Sequence, residues 1–338
     1  MASNLSTIEP GESAGEQLEE RARLGQRRRI PGAAFIGLIL VNRKATIGAG
    51  ILLFFILVGI FAPWIAPYDP DEFVSRPHEA PSLDYWFGTT GSGEDVFSQT
   101  VWGTRTSLGA GLIVGVAVTI IGALVGMTAG YFRGRVDDIL SLMTNVVLII
   151  PGLPLIVVLA AFLPAGFWTI VAVLTVTGWA WGARVLRSQT MSLREKDYVS
   201  SAIVSGENSF RIIFAEILPN MLSITAAGMF GAVTYAIGAQ AGLEFIGLGN
   251  PSSTSWGTNL YWAQNNAGLL VGAWWTIIPA GVCIALIAFS MSMINYAIDE
   301  VTNPRLRSQR DTNALLKRSD RKLGTSRATP VLRPSTGD

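Results

Sequence analysis

One polar stretch, residues 192–220, stands between long apolar segments and carries the residue types best suited to contact with another protein. Ser192 and Glu195 have the spacing of a capping box at a helix start. Gly206 can take the left-handed conformation that ends a helix, and Ser209 can cap the next one. We therefore predict two short amphipathic helices joined at a glycine corner, a shape that suits docking on a partner better than holding a substrate.

The second of these helices carries an apolar stripe at helical spacing, made of Phe210, Ile213, Phe214 and Ile217. Pro219 follows directly, and a proline either ends such a pattern or starts the next helix. The sequence leaves both possibilities open.

The composition places the chain in a membrane. Of its 338 residues 50% are hydrophobic and only 14% are charged, whereas soluble proteins carry about 25% charged residues. A net charge of +1 gives no indication of nucleic-acid binding. One cysteine and one histidine exclude a disulfide framework and a Cys/His metal cluster.

Six apolar segments contain no Asp, Glu, Lys, Arg or His, and each approaches or exceeds the roughly 20 residues that cross a bilayer as a helix. One charge at a helix centre costs about 2.5–3.5 kcal/mol on insertion, so this absence is informative. The sequence predicts an all-α membrane protein with six transmembrane helices: Ala45–Pro67, Thr106–Gly130, Ile139–Leu163, Gly166–Ala183, Met221–Leu243 and Leu270–Ile298.

The basic residues give the orientation. With both tails inside the cell, 23 of the 25 Lys and Arg residues lie in inner segments, and only Arg76 and Arg105 lie outside. This distribution obeys the positive-inside rule, which the opposite orientation would violate. We expect cytoplasmic tails at 1–44 and 305–338, a membrane domain at 45–304, an extracytoplasmic loop at 68–103 and a cytoplasmic stretch at 192–220.

Polar and small residues inside the spans are the candidates for packing or for a substrate path. Asn145 could bond a neighbouring helix or line a polar path, and Pro151 with Pro154 predicts a kink in the third span. Gln240 and Glu244 close the fifth span; contact with a cationic substrate and exposure at the outer interface would both account for the acid, and we favour exposure. Small residues four apart predict close helix packing at Gly122, Gly126 and Gly130.

The 192–220 stretch resembles the conserved cytoplasmic loop of bacterial ATP-binding-cassette (ABC) import permeases, which reads Glu-Ala-Ala, then Gly, then Ile-Leu-Pro-Asn. The matching residues here are Ser200, Ser201, Ala202, Gly206, Ile217, Leu218, Pro219 and Asn220. Ser200 replaces the glutamate of the pattern, so the role of that glutamate does not carry over. The resemblance implies that these residues couple the membrane domain to ATPase subunits.

Further motifs resemble the dipeptide/oligopeptide branch of these permeases. Residues 87–98 look like the branch's Leu-Gly-Thr-Asp…Gly-Arg-Asp-Val-Leu-Ser signature, with Thr90 and Glu94 as departures. Residues 240–257 look like its Leu-Ser-Phe-Leu-Gly-Leu-Gly…Ser-Trp-Gly signature, with Gln240 and Glu244 where Glu and Ser are usual.

The resemblance implies a type I importer-like permease that acts with a second, homologous permease, two ATP-binding subunits and an extracytoplasmic solute-binding protein. The glycine-rich run at 88–93 lacks a following Gly-Lys-Ser/Thr and is not a Walker A loop, so we expect ATP and Mg²⁺ to be bound by the partner subunits, with no cofactor in this chain.

Several alternatives stay open. The same branch also carries nickel complexes and oligosaccharides, and the sequence does not identify the cargo. A stand-alone channel or secondary transporter would not need two amphipathic cytoplasmic helices. An intramembrane hydrolase is disfavoured because the spans hold no aspartate and the only histidine is His78. The 68–103 loop could receive a binding protein or only pack on the helices.

Overall fold

The computed structural model describes residues 42–302, in which the regular elements are helices and the only strand-like pairing is a single bridge between Thr89 and Asp95. The predicted tails, 1–44 and 305–338, lie outside these residues except for 42–44. The helices of the described part are α1 to α9 in chain order: Arg43–Ile65, Val96–Phe132, Gly134–Ile149, Gly152–Phe162, Phe167–Arg194, Asp197–Val204, Ser209–Phe245, Trp256–Asn265 and Ile278–Thr302.

Long apolar helices account for all six predicted spans. Helices α1, α2, α5 and α7 are each long and apolar enough to cross a membrane, as is the segment Trp274–Ile298 that contains most of α9. Helices α3 and α4 pass the same length and hydropathy criterion as a pair bent by 85°, and counted as one broken span they give the sixth. The prediction of an all-α fold with six spans is confirmed in this form.

The bend between α3 and α4 lies at Pro151, as the sequence predicts. Ile150, before the proline, takes an extended conformation, and Pro151 stands directly before α4. A proline has no N–H to continue the preceding helix and disfavours helical geometry in the residue before it. The third span is therefore broken rather than gently curved.

The second span starts earlier than predicted. Helix α2 begins at Val96 rather than Thr106, so the loop before it ends at Asp95 rather than Gly103. The Asp95 carboxylate caps the helix by accepting a hydrogen bond from the Ser98 N–H at 2.8 Å. The helix starts before the predicted apolar segment because its first turns are polar and fold against protein, where an apolar pattern gives no signal.

A glycine ridge packs α2 against α5, as predicted. A Cβ atom at Gly122 would lie 3.1 Å from the carbonyl oxygen of Trp179, and one at Gly130 would lie 2.7 Å from that of Arg187. A Cβ at Gly126 would collide with the backbone of α5 in the same way. Only glycine allows the two backbones to approach this closely.

Helix α8 is held against the spans by one fully buried side chain, Trp256. Its indole N–H donates to the carbonyl oxygen of Thr100 at 3.1 Å, and its backbone N–H donates to the Ser107 hydroxyl at 3.0 Å. Its ring meets Phe55 edge-on, with centroids 5.8 Å apart. Residues from α1, α2 and α8 thus share one packed layer.

Residues 68–95 fold into a compact cap. The Thr89 hydroxyl donates to the carbonyl oxygen of Arg76 at 2.6 Å, and the Thr89 carbonyl oxygen accepts from the Trp275 indole N–H at 3.2 Å. His78 Nε2 lies 3.1 Å from the carbonyl oxygen of Asn266. The loop therefore packs on the connection between α8 and α9, and a docking role for it stays a proposal.

Candidate functional site

The glycine corner lies between α6 and α7. Gly206 has φ +79°, the left-handed conformation predicted for it. Its N–H donates to the carbonyl oxygen of Ile203 at 3.0 Å, and the Glu207 N–H donates to that of Ala202 at 3.1 Å. These two bonds satisfy carbonyl groups at the end of α6 and turn the chain towards α7.

The helix starts around this corner differ from the predicted ones. Ser192 lies inside α5, which runs to Arg194, so it forms no capping box with Glu195, and the first corner helix begins at Asp197. Directly after the end of α5, Glu195 accepts from the Arg133 guanidinium, at the start of α3, at 2.9 Å. The cap of α7 is not Ser209 but its neighbour Asn208, whose side chain accepts from the Phe210 N–H at 3.0 Å.

The second corner helix is not separate but is the first part of α7. A π-helical segment, Ile212–Ile217, joins the α-helical turn at Ser209 to the long span that begins at Leu218. Pro219 is the second residue of the α-helical segment Leu218–Phe245, directly after the π-helical turns. Of the two possibilities left open by the sequence, Pro219 starts the next span.

The predicted coupling residues divide into an anchored group and an exposed group. Ile217 is fully buried, and Leu218 and Ala202 are half-buried. The outward-facing members are Ser200, Ser201, Gly206, Pro219 and Asn220. Apolar side chains stand beside them: Val204 is 88% exposed and Phe210 is 69% exposed. We call this surface, α6 with the first turn of α7, the coupling corner.

Val199 anchors the coupling corner on the protein, whereas its neighbour Tyr198 is exposed. Val199 is fully buried in a cluster with Ile212 and Ile217. Burial raises the pKa of the Tyr198 hydroxyl, and the nearby Glu216 carboxylate raises it further, so this tyrosine stays neutral. The coupling corner is fixed on its inner side and uncovered on its outer side.

An ion pair and a hydrogen bond join the broken span to α5. The Asp137 carboxylate accepts two hydrogen bonds from Arg187, at 2.5 and 2.6 Å, and another from the Ser141 hydroxyl. The Asn145 side-chain oxygen accepts from Arg184 at 2.8 Å. Asn145 thus bonds a neighbouring helix, the first of the two roles that the sequence left open.

A cavity of about 720 Å³ lies beside α2, α5 and α7. Most of its lining residues are small or aliphatic, Trp181 is also present, and no lining side chain is charged. Five further lining residues carry a hydroxyl or amide group. Two of these polar groups have buried oxygens with no hydrogen-bond partner, namely Thr225 Oγ1 and Asn295 Oδ1. The five are Thr119, Thr177, Thr225, Tyr235 and Asn295. We call this cavity the path cavity.

None of the three candidate path residues, Asn145, Gln240 and Glu244, lines this cavity. Glu244 is only 4% exposed, so the favoured expectation of exposure at the interface is wrong. Its carboxylate accepts from the Gln240 amide at 3.0 Å and from the Ser255 hydroxyl at 2.5 Å. Gly249 and Gly257 make room for it, since a Cβ at either position would collide with the Glu244 side chain. Gln240 and Glu244 thus join α7 to the start of α8.

Sequence reasoning missed the polar residues of the path cavity. Thr119 and Thr177 donate their hydroxyls to carbonyl oxygens one turn back, those of Gly115 and Val173, at 2.7 and 2.8 Å. A threonine satisfied in this way fits an apolar helix without a visible signal. An uncharged hydroxyl inside a span was the only available clue.

Comparison with known proteins gives a consistent result. Residues 122–307 match the family described as binding-protein-dependent transport system inner membrane component. Residues 33–81 match the N-terminal transmembrane domain of oligopeptide transport permease C.

Individual relatives agree with these matches. The dipeptide transport system permease protein DppC of Bacillus subtilis is 32% identical over 79% of this chain and 83% of its own length. The oligopeptide transport system permease protein OppC of the same species is 32% identical over 79% and 87%. The glutathione transport system permease protein GsiD of Pectobacterium atrosepticum is 28% identical over 79% and 89%. A solved chain of the inward-facing MetNI methionine ABC transporter is 18% identical, with TM-score 0.47, over 59% of this chain and 96% of that one.

Proposed function

Because the chain belongs to the family of peptide ABC importer permease subunits, we propose that it forms half of the translocation path of an ATP-driven importer of dipeptides or oligopeptides. It is a multi-pass membrane protein of a non-catalytic family. In this proposal it lies in the bacterial inner membrane, with a second permease as its partner. Two ATPase subunits bind the cytoplasmic side, and a solute-binding protein delivers cargo from outside.

One observation carries the proposal: the coupling corner and the wall of the path cavity belong to the same helix. Helix α7 starts at Ser209, three residues after Gly206. Two residues further along the same helix, Thr225 and Tyr235, line the path cavity. A displacement of the coupling corner would therefore be transmitted along α7 to the wall. Coupling of ATP hydrolysis to transport requires such a link between two distinct sites.

The uncharged lining of the path cavity supports a peptide cargo. Hydroxyl and amide groups can exchange hydrogen bonds with the peptide backbone, which every peptide carries, whatever its side chains. The unpartnered oxygens of Thr225 and Asn295 can accept from peptide N–H groups. A cavity with this lining would let peptides of many different sequences through, and the solute-binding protein would select the cargo.

The test is transport by the purified complex in liposomes. With both permeases, both ATPases and the solute-binding protein present, we expect uptake of a labelled dipeptide only when ATP is supplied on the ATPase side. Uptake by this chain alone, without ATP, would instead identify a channel or secondary transporter. Binding measurements on the solute-binding protein would separate peptides from nickel complexes and oligosaccharides.

A further inference from the structure

A second, smaller cavity of about 290 Å³ lies where the cap meets the ends of α1 and α2. It shares no residue with the path cavity. We call it the cap pocket, and its walls combine aromatic rings with two carboxylates: Pro67, Tyr68, Leu83, Asp84, Trp86, Asp95 and Phe97. Ligand pockets for small molecules usually measure about 300–1,000 Å³, so this one suits a single side chain better than a peptide.

Asp95 supplies a buried acceptor with no donor. The residue is 1% exposed, and its Oδ2 atom accepts from both the N–H and the hydroxyl of Ser98, at 2.8 and 2.7 Å. Its Oδ1 atom is buried and has no hydrogen-bond partner. An unsatisfied carboxylate oxygen is unfavourable, and a donor seated in the cap pocket would satisfy it.

The groups around the cap pocket favour a positively charged ligand. Two acids, Asp84 and Asp95, line the pocket. Burial raises the pKa of the Tyr68 hydroxyl, and Tyr85, Asp95, Asp84 and Glu72 raise it further. The Trp86 and Phe97 rings lie together, with centroids 4.9 Å apart. Aromatic faces attract ammonium groups within about 6 Å.

We propose that the cap pocket binds one protonated lysine side chain of the extracytoplasmic solute-binding protein, an inference that rests on the proposed function. Because Ser98 occupies Asp95 Oδ2, a two-pronged arginine pair with that carboxylate is blocked, whereas an ammonium group needs only Oδ1. Leu83, 95% exposed, and Trp86, 61% exposed, form an apolar rim of the kind that protein partners cover.

The chemistry of the pocket can be tested without the partner. The probe is N-acetyl-lysine methylamide, compared with its norleucine counterpart, which has the same length and no charge. Saturation-transfer NMR on the complete transporter in nanodiscs should show binding of the lysine probe that Asp84→Asn reduces and Glu72→Gln leaves intact. Glu72 is an exposed acid of the same cap that does not line the pocket, and of the carboxylates that raise the pKa of Tyr68 it has the smallest effect, so it is the control. Equal signals from both probes, or no effect of Asp84→Asn, would overturn the inference.

The identity of the partner is tested by titrating the solute-binding protein onto the same nanodiscs. We expect Asp84→Asn to weaken binding about fivefold at low salt, the size of an exposed ion pair, with Glu72→Gln within about twofold of the parent. The difference in affinity between Asp84→Asn and the parent should vanish near 1 M salt, where the Debye length is about 3 Å. Unchanged affinity in Asp84→Asn would refute the pocket alone, whereas no binding of the solute-binding protein to the parent complex would refute the proposed function as well. Asp84 and Glu72 are both exposed, so neither change disturbs the fold.

Discussion

Replacement of Gly206 by valine tests the coupling corner most directly. Gly206 lies at φ +79°, and a Cβ added there meets no atom of this chain within 4 Å. The cost inside the chain is therefore conformational: about 1–2 kcal/mol for an ordinary residue in the left-handed region, and more for a β-branched one. A strain of about 2 kcal/mol lowers the population of the native corner roughly 30-fold against any relaxed alternative.

A series at this position separates strain from bulk. Gly206→Asp tolerates positive φ better than valine but adds volume and charge to the exposed face of the coupling corner. If the coupling corner docks on an ATPase subunit, Gly206→Val and Gly206→Asp both lose transport, the first through strain and the second through the blocked contact. Gly206→Ala, with moderate strain and little bulk, should retain part of the activity.

The assay is co-purification of the ATPase subunits with this chain, together with substrate-stimulated ATP hydrolysis in the reconstituted complex. All variants should reach the membrane in normal amounts, because the spans are untouched. Ser200→Glu, which places the family's usual residue on the exposed face of α6, serves as a control and should be tolerated or strengthen docking. Parent-like co-purification and hydrolysis in Gly206→Val would refute the coupling role.

Three further results are expected. In sealed right-side-out vesicles, an impermeant thiol reagent should label Ser92→Cys but not Asn208→Cys; labelling at Asn208 would reverse the orientation. Glu244→Leu leaves the buried Gln240 amide without its acceptor, whereas the Ser255 hydroxyl can still donate to Thr258, so the melting temperature in detergent should fall by an amount that corresponds to about 1–3 kcal/mol, with no change in preference for basic cargo; a selective loss of basic cargo would instead favour a substrate contact. Gly126→Ala should lower the same melting temperature markedly, whereas Gly109→Ala, with open space around its Cβ, should not; equal effects would contradict the packing ridge.

The spans and the glycine corner were predictable because their signals are local. An uncharged apolar run of about 20 residues is typical of a membrane span, and a glycine between two amphipathic patterns predicts positive φ. Pro151 marks the break in the third span for the same reason, since its effect falls on the residues next to it.

The features that sequence reasoning missed depend on residues distant along the chain or on geometry without a pattern. Glu244 is buried because it accepts a hydrogen bond from Ser255 and fits into the space beside Gly249 and Gly257. These three residues follow the fifth span, so the sequence of the span does not predict the contacts. The π-helical segment Ile212–Ile217 has an ordinary amphipathic sequence. The early start of α2 rests on polar residues packed against protein, which look like a loop when only hydropathy is considered.

Helix α2 is much longer than the hydrocarbon layer of a membrane is thick. Its 37 residues extend about 55 Å at 1.5 Å per residue, whereas the hydrocarbon layer is only about 30 Å thick. The ten residues before Thr106 account for about 15 Å of this length. That distance exceeds the headgroup layer of one leaflet, about 5–8 Å. The first turn of α2 lies level with the end of α1, where the Tyr68 N–H donates to the Ser98 hydroxyl at 3.3 Å, and the cap rests on both helix ends.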